Sequence, residues 1–327
     1  MNPFQYTRSF AAAGAIQSVL KEPHAHFLAG GTNLIDLMKM GVVLPERLVD
    51  INGLPLKSIE KTPTGLRIGA LATNSAVADH PLVLEGYPLL SLAINAGASP
   101  QLRNMATVGG NMMQRTRCNY FFDTAMPCNK RTPGSGCGAL TGYNRMHALF
   151  GASDQCIAVN PSDMNVAMAA LDAVVYVKGP KGERKIKFAD FHRLPGDHPE
   201  KDNTLERGEL IMAVDLPAKA QAFNKHVHYL KVRDRSSFAF ALVSAAAALN
   251  MDGTTITDAR LAMGGVAHKP WRLQEAEAFL KGKTADEDTF KQAAAIAMQG
   301  AKAYKYNQFK LTLAPNAIVQ ALKTASA

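Results

Sequence analysis

The stretch His26-Phe27-Leu28-Ala29-Gly30-Gly31-Thr32-Asn33-Leu34 passes from a buried-strand signal through two glycines into a helical pattern. Leu34, Leu37, Met38 and Met40 continue that pattern, and Gly41 is placed to stop it. The order is strand, glycine turn, helix. Small residues at such a junction let backbone amides approach a phosphate, and Thr32 and Asn33 add side-chain hydrogen bonds. A Gly-Gly pair also makes a plain tight turn, so the stretch alone does not specify a ligand. It matches neither G-x-G-x-x-G nor G-x-x-x-x-G-K-[ST], which argues against a Rossmann dinucleotide site and a P-loop.

Upstream, Phe4 to Arg8 reads as a short strand and Ala11 to Lys21 as an Ala-rich helix. Downstream, Ser58-Ile59 and Leu66 to Ile68 flank Thr62-Pro63-Thr64-Gly65 as a hairpin. Helical stretches follow at Ser75 to Asp79 and Leu89 to Ala96, then a second glycine turn at Ala106-Thr107-Val108-Gly109-Gly110-Asn111. Pro161-Ser162-Asp163 starts a helix ending near Leu171, and strands surround Gly179-Pro180-Lys181-Gly182. From His226 three β-rich runs, Val227 to Arg233, Phe238 to Leu249 and Arg260 to Met263, precede helices near Leu273 to Leu280, Asp288 to Met298 and Asn316 to Leu322. A domain boundary is expected near 220. The run Ser244 to Ala248 suits a tightly packed strand or helix face.

Two separate Gly-Gly-polar elements suit a ligand with an extended diphosphate bridge, and Arg103-Asn104 precedes the second. Asp163, at a helix start, either faces a ribose or adenine or serves as an N-cap. Together these features point toward a dinucleotide such as FAD.

All four cysteines, Cys118, Cys128, Cys137 and Cys156, fall in one segment, and the other 288 residues contain none. Four thiolates are the complement of a closed zinc site or a cubane iron-sulfur cluster. Gaps of nine, eight and eighteen residues resemble neither a zinc ribbon nor a ferredoxin run. Disulfides or unrelated buried thiols therefore also stay open from spacing alone. Arg115, Arg117, Lys130 and Arg131, with glycines and prolines between the cysteines, would offset thiolate charge and permit tight turns.

At 327 residues, 47 % apolar and 19 % charged, the chain has the composition of an ordinary globular protein with room for two or three domains. No stretch approaches the roughly 20 apolar residues of a membrane helix, so no membrane insertion is expected. Met1-Asn2-Pro3-Phe4 lacks a basic start followed by an apolar core. The chain is therefore expected to carry no export signal of its own and, if exported, to travel with a partner. The net charge of +9 comes from the cysteine segment, with 6 basic and 2 acidic residues over 101–160, and from 221–327, with 14 and 8. No recognition helix or aromatic-basic interleaving accompanies it, so no nucleic-acid partner is expected. An anionic cofactor and a docking surface fit better.

Phe27 to Leu34, Arg103 to Asn111, Pro161-Ser162-Asp163, Gly208-Glu209-Leu210-Ile211 and Gly264-Gly265-Val266-Ala267-His268-Lys269-Pro270 together resemble the FAD-binding subunits of the molybdenum hydroxylases. The resemblance runs through nearly the whole chain in order. It implies an α+β fold: a PCMH-type FAD-binding domain of two α+β subdomains over 1–220, then a CO dehydrogenase flavoprotein C-terminal-like domain over 221–327 with an antiparallel sheet and a helix bundle. Most members pass from the Gly-Gly-Asn turn almost directly to Ser-Asp, whereas here an insert at about 114–158 holds every cysteine. Its wording is similar to that of the insert of bacterial periplasmic aldehyde oxidoreductases, which implies a 4Fe-4S cluster on Cys118, Cys128, Cys137 and Cys156.

By the same resemblance, Phe27, Leu28, Ala29, Gly30, Gly31, Thr32, Asn33 and Leu34 hold the FAD diphosphate, while Thr107, Gly110 and Asn111 close over it. Asp163 faces the ribose or adenine, and Lys231 lies near the flavin ring. No catalytic residue is implied on this chain. Substrate oxidation belongs to a large partner with the molybdenum cofactor, and a small partner carries 2Fe-2S clusters. This chain would pass electrons to an external acceptor in a heterotrimeric aldehyde oxidoreductase, in the periplasm by co-export or else in the cytoplasm. The alternatives are a xanthine or aromatic-CoA type of the same family, a self-sufficient flavin oxidase, and a zinc-stabilised binding module. An oxidase needs its own base, and none of the nine histidines stands in such a constellation; His24, His26, His80 and His147 are expected in surface or packing roles.

Overall fold

A computed structural model describes residues 1–327. The chain opens with β1 (Gln5–Arg8), α1 (Ala12–Lys21), β2 (Ala25–Leu28), α2 (Leu34–Lys39) and β3 (Arg47–Asp50). These form a small parallel sheet in the order β1-β3-β2, with Gln5 and Ala25 both paired to Arg47. Parallel strands of one sheet need crossovers. Helix α1 carries the chain from β1 past the position of β3 to β2, burying Ala15, Ile16 and Val19 in a core with Val49 and Ile51, and the segment with α2 links the neighbours β2 and β3. Gly41, at φ +71°, ends the turn after α2 as its position in the sequence predicts.

Next come β4 (Ile59–Thr62), β5 (Gly65–Gly69), α3 (Asn74–Ala78), α4 (Pro81–Gly86), α5 (Pro88–Ala96), α6 (Pro100–Met105) and α7 (Val108–Met112). The insert contributes only α8 (Asn119–Phe122) and α9 (Gly138–Thr141) before α10 (Asp163–Ala170), β6 (Val174–Gly179), β7 (Gly182–Lys187), α11 (Phe188–Phe191) and β8 (Leu210–Pro217). The second sheet is antiparallel throughout, in the order β4-β5-β8-β6-β7. Its inner face, including Leu66, Ile68, Val175 and Val214, shares a core with Val83, Leu89 and Ile94. Every residue of α10 is buried, so this helix runs through the interior and fixes where its first residue, Asp163, stands.

The last part comprises β9 (His226–Val232), β10 (Val243–Asp252), β11 (Thr255–Gly264), β12 (Trp271–Arg272), α12 (Gln274–Leu280), α13 (Glu287–Ala297) and α14 (Lys310–Ser326). Its sheet is antiparallel in the order β12-β11-β10-β9. Alternation along β10 explains the alanine run. Ala246 and Ala248 join the core beneath the second sheet, whereas Val243, Ala245, Ala247 and Leu249 join the core under α12 to α14. A strand covered on both faces needs small side chains for both layers to close on it.

Two expectations shift. The strand expected from Phe238 begins only at Val243, because Phe238 and Phe240 are exposed on a loop and Phe238 sits at φ +47°, outside strand geometry. The helix expected from Asn316 begins six residues earlier, at Lys310. Pro315 removes one helical N–H, yet burial of Ala314, Ala317, Ile318 and Ala321 holds the helix across it.

The insert is wedged between the two ends of the chain. Phe121 and Cys128 pack on Leu37 of α2. On the other side Leu149 N donates to Val266 O at 2.8 Å, and Asn307 Nδ2 donates to His147 O and Ala148 O at 3.1 Å.

Candidate cofactor-binding site

A cleft of about 920 Å³ opens between the loop after β2, helices α5 to α7, the start of α10 and the loop after β9. Gly30 makes it possible. A Cβ there would lie 1.9 Å from Met105 O at the end of α6, so only glycine lets the first Gly-Gly loop touch the segment that leads into the second. Gly31 follows at φ +72°. Asn52 Nδ2 ties Ala29 O at 3.0 Å and is itself held by Asp50 Oδ1 at 2.8 Å. Asn33 Oδ1 accepts from Arg115 N at 2.9 Å, while its buried Nδ2 has no partner. Asn33 borders the cleft, so that spare donor suits an anionic oxygen. The helix behind it, α2, has only six residues, so an anion held here would meet loop amides rather than a long helix dipole.

The second Gly-Gly pair is not a turn, as its sequence suggests, but part of helix α7. Thr107 Oγ1 accepts from Gly110 N at 3.2 Å and starts the helix, while Gly109 lets it lie against Ala70, whose carbonyl would be 3.2 Å from an added Cβ. Asn111 Oδ1 accepts from Ser162 Oγ at 2.7 Å, joining α7 to the head of α10. Ser162, not Asp163, is the N-cap, accepting from Asn165 N at 3.1 Å. Asp163 is thereby free to accept from Lys231 Nζ at 2.7 Å and Tyr229 OH at 2.8 Å. Burial raises the Asp163 carboxyl above its ordinary range, with Lys231 pulling the other way. Lys231 also donates to Ala96 O at 3.0 Å.

Beside this cleft lies a second, small cavity bordered by all four cysteines together with Thr116, Lys130 and Ala158. The cysteines form no disulfide. Cys128 and Cys137 pair as an isolated antiparallel bridge, and Gly136 supplies the left-handed turn between them at φ +93°. No three His, Cys, Asp or Glu side chains are gathered closely enough to hold one ion. Burial pushes the Cys156 thiol up to about 12 and Cys118 up to about 11; Lys130 pulls Cys156 the other way. Cys118, Thr116 and Ala158 border both cavities, so one thin wall separates them. His147 borders the cleft beside that wall, its Nε2 3.2 Å from Cys118 Sγ, and burial lowers its pKa to about 4.

Residues 2–219 match the model described as the FAD binding domain in molybdopterin dehydrogenase, and 228–325 match the CO dehydrogenase flavoprotein C-terminal domain. The chain belongs to the FAD-binding subunits of the molybdenum hydroxylases. Among such subunits it is 50 % identical over 330 residues to the aldehyde oxidoreductase FAD-binding subunit PaoB of Escherichia coli, covering 100 % of this chain and 99 % of that one. It is 27 % identical to the glyceraldehyde dehydrogenase medium chain of Sulfolobus acidocaldarius, covering 89 % and 85 %. The structure of quinoline 2-oxidoreductase from Pseudomonas putida 86 superposes with a TM-score of 0.76 at 26 % identity, covering 99 % of this chain and 97 % of that one.

Within this molybdenum hydroxylase subunit, Gly31, Thr32, Asn33, Gly110, Asn111, Asp163 and Lys231 border the cleft. Phe27, Leu28, Ala29, Gly30, Leu34 and Thr107 do not; they build the layer behind it. Lys231 is engaged by Asp163 rather than standing free. Sequence reasoning missed two residues. His147 is expected in a packing role, yet it touches Cys118; its place inside the insert was the available signal. Asn74 borders the cleft with an unpartnered buried Oδ1, and no local pattern distinguishes it from an ordinary helix-start asparagine.

Proposed function

We propose that this chain is the FAD- and 4Fe-4S-containing electron-transfer subunit of a heterotrimeric, molybdenum-dependent aldehyde oxidoreductase. One observation carries the reading: four free cysteines border a single cavity, and one of them, Cys118, also borders the cleft. Four free thiols, with no fifth metal-binding side chain required, are the complete ligand complement of a cubane cluster, and all four border this one cavity. The 50 % identity to a subunit named for an aldehyde oxidoreductase supports the aldehyde assignment.

Bound FAD takes electrons singly and releases them in pairs, and a cubane exchanges one at a time. This chain's residues position both. Gly31, Thr32 and Asn33 face the diphosphate, Gly110 and Asn111 close on it, and Asp163 takes the ribose or adenine side. Lys231 holds Asp163 in place and lies toward the ring. Cys118, Cys128, Cys137 and Cys156 ligate the cluster, so cluster and flavin are neighbours. A large molybdenum-cofactor subunit and a small 2Fe-2S subunit supply the electrons, an external acceptor removes them, and the assembly reaches the periplasm with a signal-bearing partner. The division of labour follows the chain: 1–220 binds both groups and 221–327 closes the cleft from the far side.

Metal analysis and an absorption spectrum of the purified protein test this. Flavin bands above a broad brown shoulder, with about four irons per flavin on this chain, are expected. Zinc without flavin would overturn it.

A further inference from the structure

Lys130 is a buried cation whose charge is only half answered. It is 2 % exposed and borders the same cavity as the four thiols. Its Nζ donates to Pro199 O at 2.6 Å and to Asp202 Oδ1. An ammonium has three N–H donors, so one is left over. Asp202 does not belong to Lys130 alone, because Arg115 Nε donates to its other oxygen at 2.7 Å. Two cations share one carboxylate, and the trio carries a surplus positive charge at the cavity wall. Asp202 lies 72 residues from Lys130 in the chain, so the arrangement is built by the fold and not by the insert alone.

Four thiolates around a cluster place excess negative charge in a largely buried site, with Cys128 and Cys156 buried and Cys118 and Cys137 half-buried, and each added electron increases it. Buried charge of that kind requires a fixed counter-charge. Resting on the cluster reading above, we propose that Lys130, oriented by Asp202 and Arg115, is that counter-charge and raises the reduction potential of the cysteine-bound group. A cation fixed nearby favours the reduced, more negative form, so the sign follows from Coulomb's law. Lys130 is in this sense a tuning residue, and it ligates nothing.

The test is a redox titration, followed by low-temperature EPR, of the complex as purified, with iron measured on each sample. Lys130→Met keeps the length and removes the charge. It should retain its iron while the cluster's reduction equilibrium weakens at least tenfold, a shift of 59 mV or more to lower potential for one electron. Lys130→Arg should stay within that span. An iron-loaded methionine variant with an unmoved potential overturns the proposal. If that variant loses its iron, Asp202→Asn decides: removing the shared carboxylate should move the potential upward, and no upward shift overturns the proposal. Failure of the cluster reading looks different, because the unaltered protein would then hold no iron at all.

Discussion

The cleft and the cysteine cavity share a wall but are built by opposite means. The cleft is assembled from distant parts of the chain, with Gly31, Gly110, Asp163 and Lys231 each arriving on a different element. The cysteine cavity is bordered wholly by residues 116–158. One site is a product of the fold and the other of a single insert docked on it. Damage to the insert should therefore leave FAD largely in place, whereas damage to the fold at the cleft should remove FAD and lower stability.

The largest effect should come from Cys128→Ser, which removes a buried thiol of the proposed cluster site. Iron is expected to fall from about four per chain to near zero, with the broad absorption lost and more than half the flavin retained. Unchanged iron would refute the ligand assignment, and full loss of flavin would erase the contrast between the two sites. Gly30→Val attacks the opposite side. Its side chain would collide with Met105 O, so FAD should be lost and stability should drop by about 3 kcal/mol, read by denaturant unfolding.

Acid should loosen the fold beneath the cleft. His192 is buried, donates toward Met112 O at 2.9 Å, and burial lowers its pKa from 6.5 to about 4. Below pH 6.5 the unfolded chain takes up a proton that the folded chain refuses, so stability falls as pH drops and levels off under pH 4. The loss should reach about 2 kcal/mol at pH 5, and His192→Asn should flatten that part of the pH profile. The smallest effect belongs to the hydrogen bond that ties the first glycine loop to the start of the insert. Asn33→Ala leaves Arg115 N without its acceptor and should cost about 1 kcal/mol, with FAD held roughly tenfold less tightly and iron unchanged. Equal loss of both cofactors would mean that the two sites are not separable.

The same contrast decides what could be read from sequence. Gly30 and Gly31 announce themselves because a positive φ and a close backbone approach exclude other residues. The reason for Gly30, the carbonyl of Met105, lies on a helix far along the chain and has no local signature. Cysteines clustered in one segment are visible by inspection, whereas the charge network at their cavity needs Asp202 brought from outside the insert. The second glycine pair misleads for a physical reason: Thr107 can cap a helix as readily as it can end a turn, and Gly109 is demanded by packing on Ala70 rather than by conformation. Phe238 and Phe240 carry strand propensity, yet both are exposed on the loop after β9.

Diffraction at the iron absorption edge, from crystals of the purified protein with its flavin bound, tests the shared wall most directly. One compact cluster of iron scattering is expected among Cys118, Cys128, Cys137 and Cys156, with flavin density in the adjoining cleft on the Cys118 side. Zinc scattering at the cysteines, or iron and flavin in cavities that do not meet at Cys118, would contradict it.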